Sequence, residues 1–112
     1  MRLKSDIWVS AFLRTEQGRG AYVTVLQKGA LDAGAIFIIQ NHLNGEFSLF
    51  SPAPQSFFEE EDDGGRKFEH IVRHSHEGDV TEYLERQKKF DSDIWIIEVE
   101  SKSDELNLEI AQ

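Results

Sequence analysis

Ala35-Ile36-Phe37-Ile38-Ile39-Gln40, then Asn44-Gly45, then Glu46-Phe47-Ser48-Leu49-Phe50, decides the fold class. The first segment is almost continuously apolar and follows a turn signal at Asp32-Ala33-Gly34, so it reads as a strand covered on both faces. Asn-Gly is the strongest short-range hairpin signal, because both residues tolerate the positive φ that a tight turn needs. The segment after it therefore pairs back on the first. Upstream, Tyr22-Val23-Thr24-Val25-Leu26 is short and rich in β-branched residues, and Lys28-Gly29 follows as a turn. Residues 21–51 are thus predicted to form a three-stranded antiparallel meander.

Outward from this centre, Pro52-Ala53-Pro54 stops the sheet, since proline cannot donate to a strand ladder. Residues 52–66 form one long acidic connection, with Phe57-Phe58 followed by Glu59, Glu60, Glu61, Asp62 and Asp63. Residues 67–74 alternate well enough for a fourth strand. Asp79 and Glu82 match a capping box, and Val80, Tyr83, Leu84 and Gln87 trace one helical face. This predicts a helix over 79–90, supported by the i,i+4 pairs Glu82–Arg86 and Glu85–Lys89. Ile94–Val99 is the last strand, and the polar residues 102–112 are expected to fray or form a short helix.

The tetrapeptide Ser-Asp-Ile-Trp occurs twice, at 5–8 and 92–95, and holds the only two tryptophans. Few side chains remove more apolar area from water, so both ends of the chain are expected to be anchored in the core. After the first copy, Ile7, Trp8, Ala11 and Phe12 fall at helical spacing, Leu13 widens the stripe, and Ser5 or Asp6 can cap. A helix over 6–17 follows; a strand is the competing reading, because Trp8, Val9 and Phe12 also suit a sheet. The predicted order is α-β-β-β-β-α-β, an α+β domain with two helices against a mainly antiparallel sheet of about five strands.

With 112 residues the chain has room for one domain spanning 1–112, with one real core. It contains no cysteine, which removes disulfides, thiolate nucleophiles and Cys-based metal sites. No apolar run approaches a membrane span and no signal-peptide core follows the N-terminus, so a cytoplasmic protein is expected. The 21 acidic residues outnumber the 12 basic ones, for a formal charge of −9. That field repels phosphate backbones, so nucleic-acid binding is disfavoured, and a basic protein partner or a metal ion suits the charge better; self-association would come instead through an exposed edge strand.

Candidate chemistry is sparse. His70, His74 and His76 fall within seven residues beside Glu69 and Glu77. On a strand these three point to one face, and on a helix His70 and His74 do. Either arrangement suits a divalent ion if a carboxylate joins from elsewhere. No established ligand motif is present, and the plainer reading is a polar strand end with His70 at the edge of the core. Consecutive acids diverge in direction, so Glu59–Asp63 lacks the spacing that wraps calcium and reads as a solvated handle for a basic partner. No serine sits in a nucleophile elbow, and no Gly-rich strand-to-helix turn marks a phosphate or dinucleotide, so no cofactor is expected.

Several blocks together resemble a known family. They are Trp8-Val9-Ser10-Ala11-Phe12-Leu13-Arg14, Asp32-Ala33-Gly34-Ala35-Ile36-Phe37, Pro52-Ala53-Pro54-Gln55, and Tyr83-Leu84-Glu85-Arg86 leading into Phe90-Asp91-Ser92-Asp93-Ile94-Trp95. The family is an uncharacterised one of short alphaproteobacterial proteins, a domain of unknown function of about this length. The resemblance implies no activity and transfers no functional residue. The sequence therefore favours a small non-catalytic binding or regulatory module working through protein contacts. Phe57, Phe58, Glu59, Glu60 and Glu61, or an exposed sheet edge, are its candidate surface. The alternative is a nuclease-like, metal-assisted hydrolase built on the histidines, which leaves open whether the chain is an enzyme at all.

Overall fold

The computed structural model describes residues 3–54, 66–103 and 105–111. The elements in chain order are α1 (Ser5–Gly18), β1 (Tyr22–Gln27), β2 (Ile36–Asn41), β3 (Phe47–Pro52), β4 (Lys67–Ser75), α2 (Glu77–Phe90), β5 (Trp95–Glu100) and β6 (Glu109–Ile110). The fold is α+β, with both predicted helices present. The acidic run and Phe57-Phe58 lie outside the described residues.

The strands form one six-stranded sheet in the order β1-β5-β2-β3-β4-β6. This corrects one expectation. The meander does not include β1: β5 enters between β1 and β2, antiparallel to the first and parallel to the second. The sheet is mainly antiparallel, as expected, but two of its pairings, β2 with β5 and β4 with β6, are parallel. The cause is hydrophobicity. In β2, Ile36 to Gln40 are all buried, and so are four of the six residues of β5, whereas no residue of β1 is. These two strands take interior positions, each with a strand on both sides, and β1, with no buried residue, takes an edge.

The loop between β1 and β2 explains the repeated tetrapeptide. The first copy holds it through Ser5 N–H to Asp32 O and Asp6 N–H to Leu31 O, both 3.0 Å, and Ser5 Oγ to Gly34 O at 2.7 Å. The second copy holds it from the other side. Ala30 N–H donates to Asp93 O at 2.9 Å, and the Trp95 indole N–H donates to Ala30 O at 2.7 Å. Gly29 permits this approach, since a Cβ there would lie 2.4 Å from Asp93 O. Trp95 is buried as expected; Trp8 is only half-buried, against the same apolar cluster.

Each helix takes one face of the sheet. On α1 the buried line is Ser5, Val9, Phe12 and Glu16, so the helix is rotated from the expected stripe and leaves Ile7 and Ala11 exposed. Its N-cap is Lys4, with neither Ser5 nor Asp6 capping. This face also carries the C-terminal residues, which are not a loose tail over 105–111. Leu106 and Leu108 pack on the cluster of Val9, Phe12, Phe50 and Phe68. The buried Glu16 carboxylate accepts Asn107 N–H at 2.9 Å, and Arg19 Nη2 donates to Glu105 O at 3.0 Å. On the other face α2 presents Val80 and Leu84 to Phe37, Ile39, Leu49, Ile94 and Ile96. Its N-cap is His76, so Asp79 belongs to the first turn instead of capping it.

The two faces are unequally covered. A helix with its side chains is about 10–12 Å across. Six strands at about 4.8 Å spacing span about 24 Å. One face has α1 and the C-terminal segment; the other has α2 alone, seated toward β3 and β4. The β1–β5 end of that second face is left without a helix.

Candidate functional site

Two places gather side chains of interest, on opposite faces of the sheet. The first is a histidine corner where β2, β3 and β4 meet. The β2–β3 connection is wider than a two-residue hairpin. Leu43 and Gly45 both have positive φ, and His42 N–H donates to Glu46 O at 3.0 Å. Asn41 and Asn44 cap the loop, their side-chain oxygens accepting the N–H groups of Leu43 and Glu46 at 2.9 Å each. Irregular pairing between β3 and β4 breaks the alternation that would put His70, His74 and His76 on one face. His74 takes φ +45°, and His76 leaves the sheet to begin α2.

The histidine that joins this corner is one the sequence reading overlooked. His42 stacks on His74 with ring centroids 4.1 Å apart, and His70 stacks on Phe50 at 4.3 Å. The fully buried Ser48 lies beneath: its Oγ is 2.8 Å from His42 Nε2 and accepts the His74 backbone N–H at 3.0 Å. Glu46 approaches His74 Nδ1 at 3.3 Å. The signal that could have found His42 is register: six residues before Ser48 across a hairpin, it falls opposite the bulged end of β4.

This corner is poorly built for chemistry. The lone pairs of stacked imidazoles radiate in parallel planes and do not meet at one point. Among the described residues no group of three or more His, Asp or Glu is disposed to hold a metal ion. A serine beside a histidine suggests a nucleophile, but Ser48 has no exposed surface and its hydroxyl is already engaged by the chain. Burial, followed by Arg73, His74 and His42, lowers the His70 pKa below its ordinary value of 6.5. Among the described residues its Nε2 is buried without a hydrogen-bond partner, which a neutral ring tolerates better than a charged one.

The second place is the groove left beside α2. It encloses about 200 Å3. Its floor is Leu26, Ile39, Phe47, Val80, Leu84 and Ile96, and its walls include Glu77, Thr81, Glu85 and Lys88 from α2 and Glu98 from β5. The wall positions on α2 recur every three or four residues, so one helical face borders the groove along its length. Opposite, the pairing of β1 with β5 shifts between Val25 and Gln27, which leaves Leu26 as an extra residue, 53% exposed. Tyr22 lies farther along the same strand, 68% exposed, opposite Glu100. Among the described residues the sheet ends at β1, so its outer N–H and C=O groups have no partner strand there. No helix of the described residues is long and apolar enough to cross a membrane.

A family model described as a protein of unknown function (DUF1491) matches residues 3–109. Among solved structures, the solution structure of a protein from A. tumefaciens is 40% identical, with a TM-score of 0.83, covering 100% of this chain and 98% of that one. A crystal structure of a DUF1491 family protein from Caulobacter crescentus is 32% identical, with a TM-score of 0.80 and full coverage of both chains. An NMR structure of a protein of that family and source is 34% identical, with a TM-score of 0.77, covering 100% of this chain and 99% of that one. No curated protein matches the chain.

Proposed function

The chain belongs to the DUF1491 family, whose members in alphaproteobacteria bring no assigned activity, and from that premise we propose a small non-catalytic binding module. It acts through protein–protein contact at the groove between α2 and the β1–β5 end of the sheet. The observation that carries this reading is an apolar groove that leaves Leu26 exposed and Phe47 half-buried over buried Ile39, Val80, Leu84 and Ile96, beside a strand edge that is open among the described residues. Apolar surface that a fold leaves in a concave site, rimmed by polar groups, is where a partner gains most by excluding water. The metal-assisted hydrolase has no such observation behind it, because the histidines that would serve it are split between a stacked pair and a helix N-terminus.

A photo-crosslinking residue at Thr81, in the groove, is compared with one at Leu43, on the exposed hairpin. Thr81 is expected to give a discrete protein adduct in cell extract, competed by excess unlabelled chain, while Leu43 does not. The same adducts from both positions, or none from Thr81, would overturn the groove reading.

A further inference from the structure

We infer that the groove takes an extended, basic segment of a partner protein, which adds to the sheet along β1. This rests on the groove being the contact surface, and adds the shape and charge of what fills it.

The charge comes from the walls. Glu77, Glu85 and Glu98 border the groove, and Lys88 is its one cation among the lining residues. That lysine is already 3.5 Å from Glu85, so it offsets one acid and leaves Glu77 and Glu98. The Glu98 carboxylate accepts from the uncharged Asn41 amide at 3.2 Å, which orients it without neutralising it. Glu100 continues the acidic line along β5. The chain as a whole carries −9, so a second copy or an acidic segment approaches against repulsion, whereas a basic segment is drawn in.

The extended shape comes from β1. Its regular pairing runs from Tyr22 to Val25, and its other edge faces no strand of the described residues. A partner strand gains main-chain hydrogen bonds there and places alternate side chains toward the groove. Leu26 stands at the end of that run and supplies the apolar contact. The bulge stops the ladder after Val25, which limits an added strand to about four residues. Specificity then comes from the side chain that enters the groove. The segment has an apolar residue flanked by Lys or Arg, with no proline in the paired stretch, where each alternate N–H is needed.

The test is selection from a random twelve-residue peptide library displayed on phage, against the full chain at low and physiological salt. Enriched peptides are expected to carry Lys or Arg around an apolar residue and to lack proline in that stretch. Synthesised singly, they should weaken about tenfold on Leu26→Thr, from the lost apolar contact. On Glu77→Gln they should weaken about two- to fivefold, and this second loss should fade as salt rises. Peptides that lose affinity on Leu26→Thr but are acidic, neutral or proline-rich would overturn the basic, extended occupant and leave the groove standing as the contact surface. Peptides indifferent to Leu26→Thr, or no enrichment at either salt, would overturn both.

Discussion

The histidine corner and the groove beside α2 lie on opposite faces of one sheet and treat their side chains in opposite ways. At the corner, the polar Ser48 and His42 are buried and engaged with each other and with the exposed His74. Ser48, with no exposed surface, holds both the His74 backbone and the His42 ring. In the groove, Ile39, Val80, Leu84 and Ile96 are buried, but the apolar Leu26 and Phe47 beside them stay partly in water, because one helix cannot span six strands. Residue type alone would assign the roles the other way round. Access decides them: buried polar groups that satisfy each other hold a fold together, while uncovered apolar ones are available to a partner.

The sharpest way to break the contrast is Ser48→Ala. If the corner is structural, the variant leaves a buried N–H of His74 without an acceptor. Unfolding free energy should then drop by about 1–3 kcal/mol in urea titration. A variant as stable as the parent would mean that the corner adds nothing to folding, and its polar groups would need another purpose.

How far each face was legible follows from range. Local signals gave both helices and the strands β1 to β5, because capping residues, helical spacing and β-branched runs act within a few residues. The pairing of β5 between β1 and β2 is a long-range choice; its clue was that Ile94–Val99 is as apolar as Ala35–Gln40 and so seeks an interior position too. The packed C-terminal segment was hidden because Leu106 and Leu108 are isolated among polar residues, and it is Glu16 and Arg19, 91 and 86 residues away, that hold the backbone of Asn107 and Glu105 beside them. His42 was missed for a similar reason. Its partner His74 is defined by a bulge, and a single extra residue reverses which face every following side chain takes.

Acid gives the next effect. Burial keeps the His70 pKa below 6.5 in the fold, so over the interval beneath that value the unfolded chain binds the extra proton. Stability therefore rises with pH there. The contribution is full above 6.5, is lost as pH falls toward the folded-state value, and levels off below it. Glu105 lines the same cleft as His70, while Arg73, His74 and His42 add positive charge from β4 and β2, in the same direction as burial. Denaturation at pH 7 and pH 5 should show a loss that shrinks in His70→Gln. An equal loss in both would assign the acid sensitivity to other groups and leave the corner indifferent to its own protonation.

The smallest expected effect tests the groove. Leu26 is about half exposed, on an edge strand at a bulge, and the β-branched threonine suits an edge strand. Leu26→Thr should therefore change unfolding free energy by no more than about 0.5 kcal/mol, as exposed substitutions usually do. A loss comparable with Ser48→Ala would make Leu26 a core residue that the fold depends on. The groove would then be a shallow part of the interior, not a surface kept open, and the contrast between the two faces would collapse. A near-zero change, paired with the loss of peptide affinity on the same substitution, separates a side chain retained for binding from one retained for folding.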